Sequence, residues 1–140
     1  MQWQVEFYQT FESEFDALEA DVQDELLAKV ILLERFGSSL GRPSVDTLNG
    51  SRYSNMKELR FSAGDGVWRV AFAFNVERKA ILLVAGDKSG GSQKRFYKQL
   101  IEQADQRFEQ HLIELKENDE YDNDTHRETG KSSSRPPRKN

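Results

Sequence analysis

A chain of 140 residues with no cysteine and two widely separated histidines, His111 and His126, has the length of one domain. It excludes disulfides, a thiolate zinc centre and a paired-histidine catalyst, and no metal or cofactor is expected. The net charge of −4 is unevenly spread: residues 1–41 hold two Lys/Arg against nine Asp/Glu, residues 42–98 eleven against five, residues 99–118 two against five, and residues 119–140 five of each.

The overall acidity argues against a general polyanion binder. The central block at +6 can nonetheless steer a polyanion locally, unless it only pairs with its acidic neighbours. The opening MQWQVEFYQTF lacks the basic-then-apolar pattern of a secretory signal. No apolar run approaches the roughly 20 residues that span a bilayer. A soluble cytoplasmic protein with no membrane contact is expected.

Residues 2–8 alternate, with Trp3, Val5 and Phe7 on one side, the period of a half-buried strand. Thr10 or Ser13 then caps a short helix carrying Phe11, Phe15 and Leu18 on one face, with Glu12, Glu14 and Asp16 in its first turn. Asp21 restarts the helix, and Val22, Leu26, Leu27, Val30, Ile31 and Leu33 form an apolar stripe read as core. Gly37 stops it. An acidic helical hairpin results. Residues 38–55 read as loop, with Gly41, Pro43 and Asn49-Gly50, and carry Arg42 and Arg52 as candidate RNA contacts.

Three strand-like runs follow. Leu59 and Phe61 alternate with Glu58 and Arg60; a turn at Ala63-Gly64-Asp65-Gly66 leads into a strand over 67–76; Glu77-Arg78-Lys79 turns back into a short buried strand over 80–86. A direct hairpin pairs Ser62 with Val67, so Phe61 faces Trp68, Arg60 faces Arg69 and Leu59 faces Val70. Trp68 then shares the core face with Val70, Phe72, Phe74 and Val76. Like charges opposite one another are unfavourable, so the two arginines call for an anion between them or a carboxylate such as Glu58 or Asp87 nearby. A polar loop, Lys88-Ser89-Gly90-Gly91-Ser92, precedes a helix from Gln93 with Phe96, Leu100, Ala104, Phe108, Leu112 and Leu115 on its packed face. That helix is expected to fray after about Glu117. Residues 118–140 are polar, with a serine run and Pro136-Pro137, and read as a disordered tail.

Cleaving RNA with side chains alone requires a base for the ribose 2′-hydroxyl, cations for the phosphorane-like transition state and an acid for the leaving 5′-oxygen. The central stretch supplies arginine, lysine and tyrosine for these roles. A basic β-surface carrying an aromatic is also consistent with passive RNA binding.

The succession KELRF, Trp68-Arg69 with AFAF, ILLVAGDK and KRFYK opening a helix resembles the RelE/HigB toxin superfamily, most closely its phage-derived HigB-like branch. The resemblance runs from about Trp3 to Leu112. It implies an α+β fold, a small antiparallel sheet packed against an N-terminal helical hairpin and a long C-terminal helix, with a toxin domain over 1–117. It also implies a type II toxin-antitoxin toxin, an mRNA endoribonuclease needing no metal and acting on the ribosome. Its partners would be mRNA, the ribosome, a helix-turn-helix HigA-like antitoxin and, through that antitoxin, operator DNA. By the same resemblance Lys57, Arg60, Arg69, Lys88 and Tyr97 are the catalytic candidates, with Tyr97 first and Lys88 second for the acid. Lys94 and Arg95 join Arg42 and Arg52 as RNA contacts. A gyrase-inhibiting ParE-like toxin and a non-catalytic relative that only binds antitoxin or DNA are the alternatives.

Overall fold

The computed structural model describes residues 2–129, with side chains as far as Asp119. The elements in order are β1 (Gln4–Phe7), α1 (Gln9–Asp16), α2 (Ala20–Phe36), a 3-10 turn (Gly37–Ser39), β2 (Val45–Thr47), β3 (Met56–Ala63), β4 (Gly66–Phe74), β5 (Lys79–Asp87) and α3 (Gln93–Thr129). The strands form one sheet in the order β1-β5-β4-β3-β2. Four of them are antiparallel neighbours, as expected. β1 instead runs parallel to β5, so the sheet is mixed. The parallel pair arises because α1 and α2 carry the chain back across the sheet before the meander begins.

The sheet is covered on both faces. On one, Leu59, Phe61, Val70, Phe72, Ala80 and Leu82 meet Phe11, Val22, Leu26, Val30 and Leu33 of α1 and α2. On the other, Met56, Ala71, Ala73, Ile81, Leu83 and Val84 meet Leu100, Ala104 and Phe108 of α3. Period-two alternation divides each strand between these two cores.

Several boundaries differ from the sequence expectation. The 38–55 loop contains the short edge strand β2, too short for alternation to register. α1 starts at Gln9 with no side-chain cap, so neither Thr10 nor Ser13 serves. β4 ends at Phe74, because the Asn75 carboxamide oxygen accepts the backbone N–H groups of Glu77 (2.9 Å) and Lys79 (3.0 Å) and closes the turn. Val76 therefore lies exposed in that turn instead of on the core face. α3 runs on to Thr129, past the boundary set at 117, and residues 130–140 of the expected tail lie outside the described residues. Gly37 does end α2, with φ at 55° and the Trp3 indole lying where a Cβ would stand.

Between β4 and β5 the register slips at Ala71/Phe72, leaving Leu83 as an extra residue. Its carbonyl accepts a hydrogen bond from Arg107 Nη1 of α3 at 2.7 Å. Arg107 also makes a bidentate pair with Glu14 of α1, at 2.8 and 2.7 Å. The bulge thus becomes the point where the last helix is pinned to the sheet and to the first helix.

Candidate active site

The hairpin β3–β4 has the register read from the sequence: Arg60 opposite Arg69, Phe61 opposite Trp68, Leu59 opposite Val70. Both arginines lie on the α3 face, together with Glu58 and Asp46, which are themselves cross-strand partners. The anion between the arginines is supplied by the protein. Arg60 Nη1 stands 3.6 Å from Asp46 Oδ2, and Arg69 Nε stands 3.8 Å from Glu58 Oε1. Neither distance is a hydrogen bond.

Tyr97, one turn into α3, completes the second pair. Its hydroxyl donates to Glu58 Oε1 at 2.9 Å and accepts from Arg69 Nε at 3.2 Å. Arg69 Nη1 donates to the Trp68 carbonyl at 2.9 Å, leaving Nη2 with no partner among the described residues. Arg69 and Glu58 are each only 6 % exposed, whereas Tyr97 is half-buried and the Arg60 side chain 34 % exposed. Tyr97 and Arg60 are therefore the groups a ligand meets first, with Glu58 behind the phenol.

Burial pushes the Glu58 carboxyl above its ordinary range, against the opposing pull of the Tyr97 hydroxyl and the Arg69 and Arg60 guanidinium groups. Burial likewise raises the Tyr97 phenol; the hydrogen bond from Arg69 opposes this and that to Glu58 adds to it. Asp46 behaves oppositely: the Thr47 N–H and the Arg42 side chain hold its carboxyl low.

The remaining candidates separate into two groups. Lys88 lies two residues beyond Gly86, the cross-strand partner of Arg69, and its N–H donates to the Val67 carbonyl at 2.7 Å, which holds it beside the arginine row. Lys94 and Arg95 sit exposed in the first turn of α3, whose start is fixed by Ser92 Oγ accepting the Arg95 N–H at 3.2 Å. With Ser92, Lys98, Gln99 and Glu102 they line an open cleft of about 530 Å³. Arg42 reaches the edge of the site through its hydrogen bond to Asp46 at 3.1 Å.

Two candidates do not join them. Lys57 has the parity of Leu59 and Phe61 and lies opposite Phe72, so it belongs to the α2 face, across the sheet from Arg60 and Arg69. Arg52 donates to Glu109 at 2.8 Å while its N–H donates to Asp105 at 3.1 Å. It ties its loop to α3 eight to twelve residues beyond Tyr97, about 12 to 18 Å along the helix axis. Glu58, which the sequence suggests only as a neighbouring carboxylate, lies inside the cluster, against both Tyr97 and Arg69. The signal was its place between two basic residues in Lys57-Glu58-Leu59-Arg60, on the parity of Arg60.

A mixed sheet between an acidic hairpin and a long helix, with arginines, a tyrosine and a buried carboxylate at one end, forms a small α+β domain. The family described as phage-derived protein Gp49-like (DUF891) matches residues 13–109, and the chain belongs to that family, within the RelE/HigB toxin superfamily. It is 48 % identical over 98 residues to the putative toxin HigB3 of Mycobacterium tuberculosis (strain ATCC 25618 / H37Rv), covering 70 % of this chain and 83 % of that one. It is 40 % identical over 103 residues to the putative toxin HigB2 of the same organism, covering 73 % of this chain and 51 %, about half, of the relative. The fold is similar to a doubly substituted mutant of the E. coli toxin RelE in the free state, with a TM-score of 0.51 at 13 % identity, covering 72 % of this chain and 95 % of that one. No helix among the described residues is long and apolar enough to cross a membrane.

Proposed function

We propose that this chain is the toxin of a type II toxin-antitoxin pair and that it cleaves mRNA on the ribosome, with a HigA-like helix-turn-helix antitoxin as its neutralising partner. That antitoxin would also carry the complex to operator DNA. The observation that carries the chemistry is the Tyr97 hydroxyl held between Arg69 and Glu58.

The reaction is attack of a ribose 2′-oxygen on the adjacent phosphorus. The O2′–P bond forms, the P–O5′ bond breaks, and a 2′,3′-cyclic phosphate and a 5′-hydroxyl result. Tyr97 already directs its proton at Glu58, so the phenol oxygen can take the 2′-hydroxyl proton as its own passes to the carboxylate. This relay makes Glu58 the proton store and Tyr97 the group in contact with RNA. Arg69 Nε stabilises negative charge growing on the phenol oxygen, and Arg69 Nη2 with the loosely paired Arg60 fork is left for the phosphorane oxygens. The orientation of the Tyr97 proton moves the acid role to Lys88, which gives its proton to the leaving 5′-oxygen. Lys94, Arg95 and Lys98 hold the backbone beyond the cut.

The test is translation of a defined mRNA in the presence of the purified chain, with cuts mapped by primer extension. Cuts within ribosome-protected codons, abolished by Arg69→Ala, are expected, as is loss of growth arrest in that variant with its circular dichroism unchanged. Absence of cuts together with inhibited DNA supercoiling would replace this reading by the gyrase-inhibiting one.

A further inference from the structure

The second half of α2 is apolar almost all the way round: Leu26-Leu27-Ala28-Lys29-Val30-Ile31-Leu32-Leu33-Glu34-Arg35-Phe36. The sheet covers only one side of it. Leu26, Val30 and Leu33 are buried, while Leu27 and Ile31, one residue further round the helix, are 42 % and 62 % exposed. Phe36 at the end of the helix is 45 % exposed, with the Arg35 guanidinium over its ring at 5.8 Å. A solvated helix face ordinarily carries polar residues at such positions. An apolar ridge rimmed by charge marks an interaction surface.

The charge around this ridge selects the occupant. Residues 9–36 hold eight Asp/Glu against two Lys/Arg, and Asp21, Asp24 and Glu25 are exposed on α2 itself. A second copy of the chain would set one such acidic surface against another. An amphipathic helix with apolar residues at three- and four-residue spacing and lysine or arginine beside them meets both requirements. We infer that the outer face of α2, centred on Leu27 and Ile31, is the docking surface for a basic amphipathic helix of the cognate antitoxin. This rests on the toxin-antitoxin reading and not on the ribonuclease mechanism. α2 and the Tyr97 cluster lie on opposite faces of the sheet, so a helix seated here leaves Tyr97 uncovered. It serves as the anchor of the antitoxin, which must reach the catalytic face with another segment to neutralise it.

The experiment is calorimetric titration of the full chain with the purified protein encoded by the adjacent reading frame. Leu27→Gln combined with Ile31→Gln is expected to weaken binding at least about 30-fold while leaving the melting curve in place, since both side chains are exposed. Asp24→Lys with Glu25→Lys weakens binding further as salt is lowered. In cells, the Leu27→Gln/Ile31→Gln toxin arrests growth despite co-expressed antitoxin. Unchanged affinity of the double variant overturns the proposal. So does light scattering that shows a wild-type dimer and a monomeric variant with equal antitoxin affinity, which would assign the face to a second copy. A chain that binds antitoxin through this face but cuts no RNA would remove the ribonuclease reading and leave the docking surface standing.

Discussion

Glu58 concentrates the residue-scale chemistry, because burial favours its neutral form while the proposed relay needs its charged one. The folded chain binds the Glu58 proton more tightly than the unfolded chain does. Its contribution to stability is therefore fully present below the ordinary carboxylate range, about 4.3, and is lost as pH rises through the raised value. Glu58→Gln should then be more resistant to unfolding than wild type at neutral pH relative to acid pH, as read by thermal melts across that window. RNA cleavage should move the opposite way. The rate should climb as pH rises through the Glu58 value, and Glu58→Gln should lose that rise, falling on the order of 100-fold below wild type on its alkaline side in single-turnover assays. A Glu58→Gln enzyme with an unchanged pH–rate profile would remove the relay.

At the scale of elements, the junction of β5 and α3 matters most. The Leu83 bulge leaves a backbone carbonyl turned towards α3, and Arg107 is the donor that satisfies it. The Arg107 side chain is largely buried, while Glu14 is partly in water, which reduces the worth of their ion pair. Arg107→Ala leaves the buried carbonyl and the Tyr8 ring without their cation, and should cost roughly 2 kcal/mol in denaturant unfolding. The same variant loosens the helix that carries Tyr97, so cleavage should fall more than Glu14→Ala lowers it. Equal stability of Arg107→Ala and wild type would show that the bulge is satisfied in some other way.

For the whole molecule, charge placement separates cations that already have a carboxylate beside them from those that do not. Arg42, Arg52, Arg60, Arg69, Lys79 and Arg107 each have a carboxylate partner within 4.0 Å, whereas the exposed Lys94, Arg95 and Lys98 cluster at the cleft with none within that distance among the described residues. RNA affinity should follow the second group. Lys94→Ala with Lys98→Ala should weaken binding of a single-stranded RNA and lower the slope of log affinity against log salt by about 1 to 2. Arg52→Ala, whose charge is already matched by Glu109, should leave the slope nearly unchanged. Filter binding across a salt series distinguishes the two.

Much of this was present in the sequence. The alternation around Gly64-Asp65 set the β3–β4 register, and with it the pairing of Arg60 with Arg69, because a tight turn and a period of two leave one alignment that buries Leu59, Phe61 and Val70 together. The acidic hairpin and the start of α3 at Gln93 followed from apolar spacing at three and four residues, and the stop at Gly37 from glycine's conformational freedom. The partners of the charges did not, since a hydrogen bond between Tyr97 and Glu58 joins residues 39 positions apart, and nothing local encodes it. The parity that assigns Lys57 to one face and Glu58 to the other was available, but which face receives α3 was decided only when β1 paired in parallel with β5 and fixed α1 and α2 to the opposite side. The exposure of Leu27 and Ile31 is likewise tertiary. Periodicity marks a helix as amphipathic, but the width of the surface it packs against decides how much of its apolar arc is left for a partner.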